Sequence, residues 1–205
     1  MRLGQLSVLV ILVFASSAFA ADFVVFGISD PYKPPESSIE VISPDTWAGA
    51  QSYAQSKGGQ LMSINSDAEN QWVVSNILTT HPGGPDLSSV PLWIGLYDPQ
   101  ANDGNGTTHT ADFIWSDGST STYRNWHEAE PNNTGGTEYY TAINWHYAQS
   151  TSNSQGDWND APVGGTTGFG GNTDGPYYAL VELPEPTTAI GIIGAGAMFL
   201  LKRKR

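Results

Sequence analysis

Oxygen-bearing side chains gather in two short stretches of this sequence. Glu130-Pro131-Asn132 is followed by Glu138, and Asn159-Asp160 comes directly after Trp158. Carboxylates and amide carbonyls are the donors that calcium takes, roughly six to eight at a time. Three carboxylates and two amides offer oxygen only, with no soft donor for zinc or copper. Glu130 and Glu138 could also mimic the paired carboxylates of a glycosidase. Each stretch has a plainer reading too. Glu-Pro-Asn-Asn is an ordinary turn sequence, and Trp-Asn-Asp could be a core tryptophan beside a polar turn. Other chemistry finds little footing. The four histidines are scattered at 81, 109, 127 and 146, and His127-Glu128 lacks the second histidine of a zinc helix. There is no cysteine nucleophile, and no Ser-His-Asp set can be argued. No catalytic residue is expected, and the chain is read as a binding protein rather than an enzyme.

These residues need a frame. Ser43-Pro44-Asp45-Thr46 reads as a helix start with proline in the first turn. Trp47, Ala50, Gln51 and Ala54 then share one face at helical spacing, and Lys57-Gly58-Gly59 closes the helix. Ser66-Asp67-Ala68-Glu69 is a capping box that opens a second helix. Trp72, Val73 and Ile77, joined by Val74 and Leu78, form its buried face, and His81-Pro82-Gly83-Gly84 ends it. Short strands are expected at 39–42, 61–64, 92–96, 113–115, 141–145 and 177–183. Long polar loops separate them at 98–111, 127–138 and 146–176. Loops of this length in a small domain are usually functional or anchored by something bound. Two early helices followed by short strands predict an α+β domain.

Both ends read as processing segments. Arg2, the apolar run 8–14 and Ala18-Phe19-Ala20 have the layout of a signal peptide over residues 1–20. Residues 21–37 form a lead-in segment, and the domain is placed at 38–183. From 184 to 205 the chain runs Pro184-Glu185-Pro186, a short apolar stretch, then Lys202-Arg203-Lys204-Arg205. That tail resembles the PEP-CTERM sorting signal of certain bacteria. The resemblance implies an exosortase-type sorting machinery as partner, an exopolysaccharide-making host, and membrane contact only through this segment. Export to the cell envelope or beyond is therefore expected. Without Arg2 and the last four residues, only Lys33, Lys57 and Arg124 face 20 carboxylates. Such a surface repels nucleic acid and anionic lipid and favours divalent cations. With no cysteine, folding rests on packing, for which seven Trp, nine Tyr and seven Phe are available.

The segments TWAGAQSYAQSKGGQLMSINSDAENQWV (46–73), LWIGL (92–96), FIWSDGS (113–119), YRNWHEAEPNN (123–133), WNDAP (158–162) and YALVEL (178–183) occur in an order that resembles a C-type-lectin-like domain. The resemblance implies that fold, with two helices, short antiparallel strands and long calcium-binding loops. It also implies a calcium site built from Glu130, Asn132, Glu138, Asn159 and Asp160, with Pro131 in the cis form. Glu130, Asn132, Glu138 and Asn159 would also read two vicinal sugar hydroxyls. The Glu-Pro-Asn order is that of mannose-, glucose- and fucose-type binders. Asp98 matches one acid of an auxiliary calcium site found in some members, while Tyr139 stands where another acid would be. The family's four half-cystines align with Ala54, Tyr140, Val163 and Val181, so packing contacts Ala54–Val181 and Tyr140–Val163 are expected in place of two disulfides. Trp93, Trp115, Trp126 and Trp158 fall in core segments. Trp145, His146 and Tyr147 open a long loop near the site, where loop filling is the plainer role and sugar stacking the other.

The reading is calcium-dependent binding of a carbohydrate or exopolysaccharide. The rival is a structural or adhesive envelope protein on the same fold that uses calcium only to order its loops.

Overall fold

Thr46 caps the first helix: its hydroxyl accepts the Gly49 N–H at 3.0 Å. In the computed structural model, which describes residues 24–26, 37–79, 85–100, 112–170 and 172–184, helix α1 spans Trp47–Ser56 and buries Trp47, Ala50, Gln51 and Ala54. Pro44 and Asp45 lie in the preceding strand, not in the helix's first turn as expected. The end is as read: the Lys57 and Gly59 N–H groups return to the Ala54 carbonyl at 3.0 and 2.9 Å. Helix α2 spans Asp67–Asn76. Ser66 Oγ accepts from Glu69 N, while the Glu69 carboxylate reaches back to the Asn65 N–H at 2.7 Å. The capping box is thus closed one residue further out than its usual form.

The strands are β1 (Val24–Phe26), β2 (Ser37–Asp45), β3 (Gln60–Leu61), β4 (Leu92–Tyr97), β5 (Ile114–Trp115), β6 (Tyr140–Ile143), β7 (Trp158–Ala161) and β8 (Tyr177–Pro184). They form one sheet in the order β1-β2-β8-β4-β6-β7, with β3 on β8 and β5 on β4. Only β4 and β8 run parallel among the described pairs. The architecture is the expected α+β fold, with several differences. The strand expected over 61–64 ends at Leu61, and the parallel β4–β8 pair makes the sheet mixed rather than antiparallel. β1, inside the lead-in segment, pairs with β2. The strand expected over 141–145 stops at Ile143, because Asn144 turns left-handed at φ 73° and a short helix α3 (Trp145–Gln149) follows. The loop expected over 146–176 contains α3 and β7. The expected signal peptide, the helix end at 81–84, the loop from 101 to 111 and the sorting tail beyond 184 lie outside the described residues. Among those described, no helix is long and apolar enough to cross a membrane.

Alternation along β4 splits the core. Leu92, Ile94 and Leu96 join Val73 of α2 and Ile77 and Leu78 just beyond it, with Trp115 and Trp158. Trp93 faces the other way and joins Trp47, Ala50 and Ala54 under α1. Full burial of each such aliphatic chain contributes about 1.5–3 kcal/mol. Gly95 sits where a Cβ would come within 2.5 Å of the Leu61 carbonyl oxygen and 2.8 Å of Ser116 Oγ. Its N–H bonds to Met62 O at 2.8 Å, so only a residue without a side chain lets β4 approach that backbone.

The two absent disulfides fare differently. Ala54 and Val181 are fully buried in one cluster, as expected. Tyr140 and Val163 do not replace a covalent link, since the Val163 side chain is 41% exposed. Trp47 takes that role. Its ring lies 4.9 Å from Tyr140 and 5.0 Å from Tyr97, and its backbone N–H bonds to the Val163 carbonyl at 2.8 Å.

Candidate functional site

The five residues singled out as oxygen donors come from three elements at one edge of the sheet. Asn159 and Asp160 lie on β7, which is held by antiparallel pairing to β6. Trp158 anchors that strand: its indole N–H donates to Asn70 Oδ1 of α2 at 3.0 Å, and Asn70 also donates to the Gly156 carbonyl. Glu130, Pro131 and Asn132 form a turn whose Glu130–Pro131 peptide bond is cis. Asp160 fixes that turn, its two oxygens accepting the Asn132 and Asn133 N–H groups at 3.0 and 2.7 Å. Asn133, left-handed at φ 46°, reaches over to accept the Glu138 N–H at 2.9 Å. Thr134 closes the cluster. Its N–H donates to Glu138 Oε2 at 2.6 Å and to Asn132 Oδ1 at 2.8 Å, and its hydroxyl contacts Asn132 Oδ1 as well.

Three carboxylates are crowded here with little water. Burial pushes Asp160 up to about 8. The hydrogen bond that its protonated form gives Glu130 adds to the shift, and the Asn132 and Asn133 N–H groups oppose it. Burial likewise raises Glu138 to about 7, against the Thr134 N–H and with the Glu130 charge. Glu130 Oε2 is buried without a donor. When both Glu130 and Asp160 are ionised they can only accept, so nothing within the protein satisfies that oxygen. A buried carboxylate oxygen left without a partner is costly, and a hard cation would relieve it. The donor set therefore fits calcium. Among the described residues no three His, Cys, Asp or Glu side chains suffice to hold a metal by themselves. The amide oxygens of Asn132 and Asn159 would have to share the work.

His146, expected near the site as loop filling or a stacking ring, takes a different part. His146 of α3 places Nε2 at 3.1 Å from both Glu130 Oε1 and Asn159 Oδ1. Its ring stacks on His127 at 3.8 Å, and His127 Nδ1 meets Asp157 Oδ2 at 3.1 Å. Two of the four histidines that look scattered in sequence, His127 and His146, are thus paired in space, and the site is not lined by oxygen alone. No local signal announces this, since nineteen positions separate the two rings and the turn at Asn144 brings them together. Trp145 is buried and fills the loop as expected, its indole donating to Thr166 Oγ1 at 3.0 Å. Trp93, Trp115 and Trp158 are buried, and Trp126 packs half-buried against the same core. Asp98 is buried at the end of β4, where Oδ1 accepts the Gln100 N–H at 2.8 Å. Tyr139 turns its hydroxyl to the Gly136 carbonyl.

A profile of the family described as Lectin C-type domain matches residues 43–164. The chain belongs to the C-type lectin domain family. Ladderlectin of Oncorhynchus mykiss is 34% identical over 119 residues, which cover 58% of this chain and 52% of that protein. The chain thus spans about half the length of this relative. Among solved structures, the C-type lectin CEL-I from Cucumaria echinata superposes with a TM-score of 0.53 at 22% identity, covering 78% of this chain and 98% of the other. Herring type II antifreeze protein gives a TM-score of 0.50 at 22% identity, covering 77% and 98%. At that identity the two structures attest the C-type lectin fold alone.

Proposed function

We propose that this C-type lectin domain binds carbohydrate in a calcium-dependent manner. What supports the reading is that Asp160 bonds the Asn132 N–H, Thr134 bridges Asn132 and Glu138, and His146 bridges Glu130 and Asn159, beside a buried Glu130 carboxylate oxygen that has no hydrogen-bond partner. Glu130, Asn132, Glu138, Asn159 and Asp160 would hold the ion. Calcium, when bound, supplies a centre that takes sugar hydroxyl oxygens as further ligands. The protein's own part is orientation. Glu130 and Glu138 accept hydroxyl protons, and the amides of Asn132 and Asn159 donate to hydroxyl oxygens. Asp160 holds the turn that presents Glu130 and Asn132. The order Glu130-Pro131-Asn132 favours mannose-, glucose- or fucose-type sugars. The signal-like start and the Pro-Glu-Pro tail favour export to the envelope, handling of the tail by an exosortase-type enzyme, and an exopolysaccharide as the natural ligand. The name of ladderlectin supports a lectin reading.

A second reading has its own observation. His146 bonds two of the five oxygens, and a herring antifreeze protein shares the fold. On that reading the domain is a structural or adhesive protein, and calcium only orders its loops. A glycan array read with millimolar calcium and with chelator separates the two. Binding that disappears with chelator supports the lectin reading. No glycan bound in either condition, with calcium still raising the melting temperature, overturns it in favour of the second.

A further inference from the structure

Four rings run in file from the candidate site to the surface. His127 stacks on His146 at 3.8 Å, His146 meets Trp145 edge-on at 4.9 Å, and Trp145 meets Phe169 edge-on at 5.4 Å. One end touches the site, through His146 on Glu130 and Asn159. The other end, Phe169, is 51% exposed. Exposed aromatics on loop tips are common, but this one stands on a built support. The Thr166 N–H donates to the Tyr177 hydroxyl at 2.8 Å, and Thr166 Oγ1 donates to the Thr173 carbonyl at 2.7 Å while accepting from the Trp145 indole. The Gly175 N–H returns to the Thr166 carbonyl at 2.9 Å, and the Phe169 N–H is held by Asp174 Oδ1 at 3.1 Å. Those bonds fix a glycine-rich loop so that an apolar ring points into water.

We propose that Phe169 is a stacking platform for a second sugar unit of the same glycan, so that the ligand class is a neutral oligo- or polysaccharide rather than a single sugar. This rests on the carbohydrate reading above. One face of a pyranose carries several C–H bonds and little hydroxyl surface. It packs on an aromatic face, whose negative quadrupole meets the polarised C–H hydrogens. His146 and Phe169 are two ring-to-ring steps apart, a distance that a short glycan chain covers. Charge favours this occupant over the alternatives. The acid-rich surface repels a second copy of itself and any anionic partner, while a neutral glycan meets no such barrier. The extra contact would be redundant for a monosaccharide seated at Glu130 and Asn132.

The test uses the full chain in millimolar calcium and chain-length series of mannose, glucose, fucose and galactose oligomers from one to six units. Titration calorimetry of wild type, Phe169→Ala and Phe169→Trp gives the affinities. Wild type should bind the trimer of its preferred sugar roughly tenfold more tightly than the monomer, the worth of one stacked ring. Phe169→Ala should bind the monomer as wild type does and lose the gain with length, and Phe169→Trp should keep it. Equal affinity for monomer and trimer in wild type, or an unchanged length dependence in Phe169→Ala, overturns the platform and leaves the lectin reading standing. Failure of every series to bind wild type overturns both. Sedimentation velocity completes the set: self-association of wild type that Phe169→Ala abolishes makes the ring a contact between copies, and the proposal falls.

Discussion

Removing calcium should make the folded domain sensitive to alkali in an unusual direction. Asp160 is pushed up to about 8 and Glu138 to about 7, in both cases mainly by burial. In the unfolded chain both return to about 4. Between those limits the folded state holds protons that the unfolded chain has released. Stability is then fully present below about pH 4 and is lost as pH rises through 7 to 8, by about 1.4 kcal/mol per pH unit for each extra proton held. A single extra proton costs about 3 kcal/mol between pH 5 and 7. Calcium takes the ionised carboxylates, displaces those protons, and adds RT ln(1 + [L]/Kd), about 2.7 kcal/mol at a hundredfold excess. The assay is thermal unfolding by circular dichroism from pH 5 to 8, in chelator and in millimolar calcium. The melting temperature in chelator should fall with pH, and the gap between the two conditions should widen. A chelator curve that is flat or rising over this range, or a gap that does not grow, would refute the crowding of these carboxylates and with it the calcium site.

Exchanging Glu130→Gln together with Asn132→Asp reverses donor and acceptor order at unchanged summed charge, so mannose-type affinity should fall by one to two decades, about 1–3 kcal/mol of mismatched hydrogen bonding, with the profile moving toward galactose. An unaltered glycan array for a mutant that still binds calcium would show that the ligand is read elsewhere. Asn70→Ala strips the Trp158 indole of its acceptor and the Gly156 carbonyl of a donor, and should destabilise by about 1–3 kcal/mol in a urea melt, with a midpoint like wild type counting against the anchor. His146→Ala removes a partner from Glu130 and Asn159 and should enlarge the calcium-dependent gain in melting temperature. An unchanged gain would mean that the imidazole does not engage the site.

The helices were legible because their signals are local. Thr46 and Ser66 are side-chain caps, and the Trp47, Ala50, Gln51, Ala54 face is a spacing that the packed helix reproduces. Pro44 misled because a proline near a cap also suits the end of a strand with a register shift, which is what β2 has between Ile42 and Asp45. β7 escaped because Trp158–Ala161 is buried at all four positions, leaving no alternation to see. In the site, the residue types and their two short stretches were visible in the sequence, and the turn at Pro131 followed from family resemblance. His146 was placed near the site but its contact with Glu130 and Asn159 was not visible, and nothing in the sequence marked Phe169. Their places depend on α3 and on the Thr166 network, which are set by contacts between segments rather than by any spacing within one. Val163 shows the limit of alignment: it was expected buried against Tyr140 but is exposed, and Trp47 fills the gap from another element.

Ser37 pairs with Pro184 across β2 and β8, so these two residues meet at one end of adjacent strands, while Asp160 sits on the strand at the far edge of the sheet. The two placements give the molecule different strengths under load. Tension applied between residues 37 and 184 peels one strand from its neighbour rung by rung, the weakest way to stress a ladder. Tension between a ligand gripped at β7 and the chain leaving β8 is carried in series through β6 and β4, with no covalent rivet in the line. Were the proposed ligand held at Glu130 and Asn132 and stretched, the force at which the domain lets go would be set by hydrogen bonds between strands as much as by that grip.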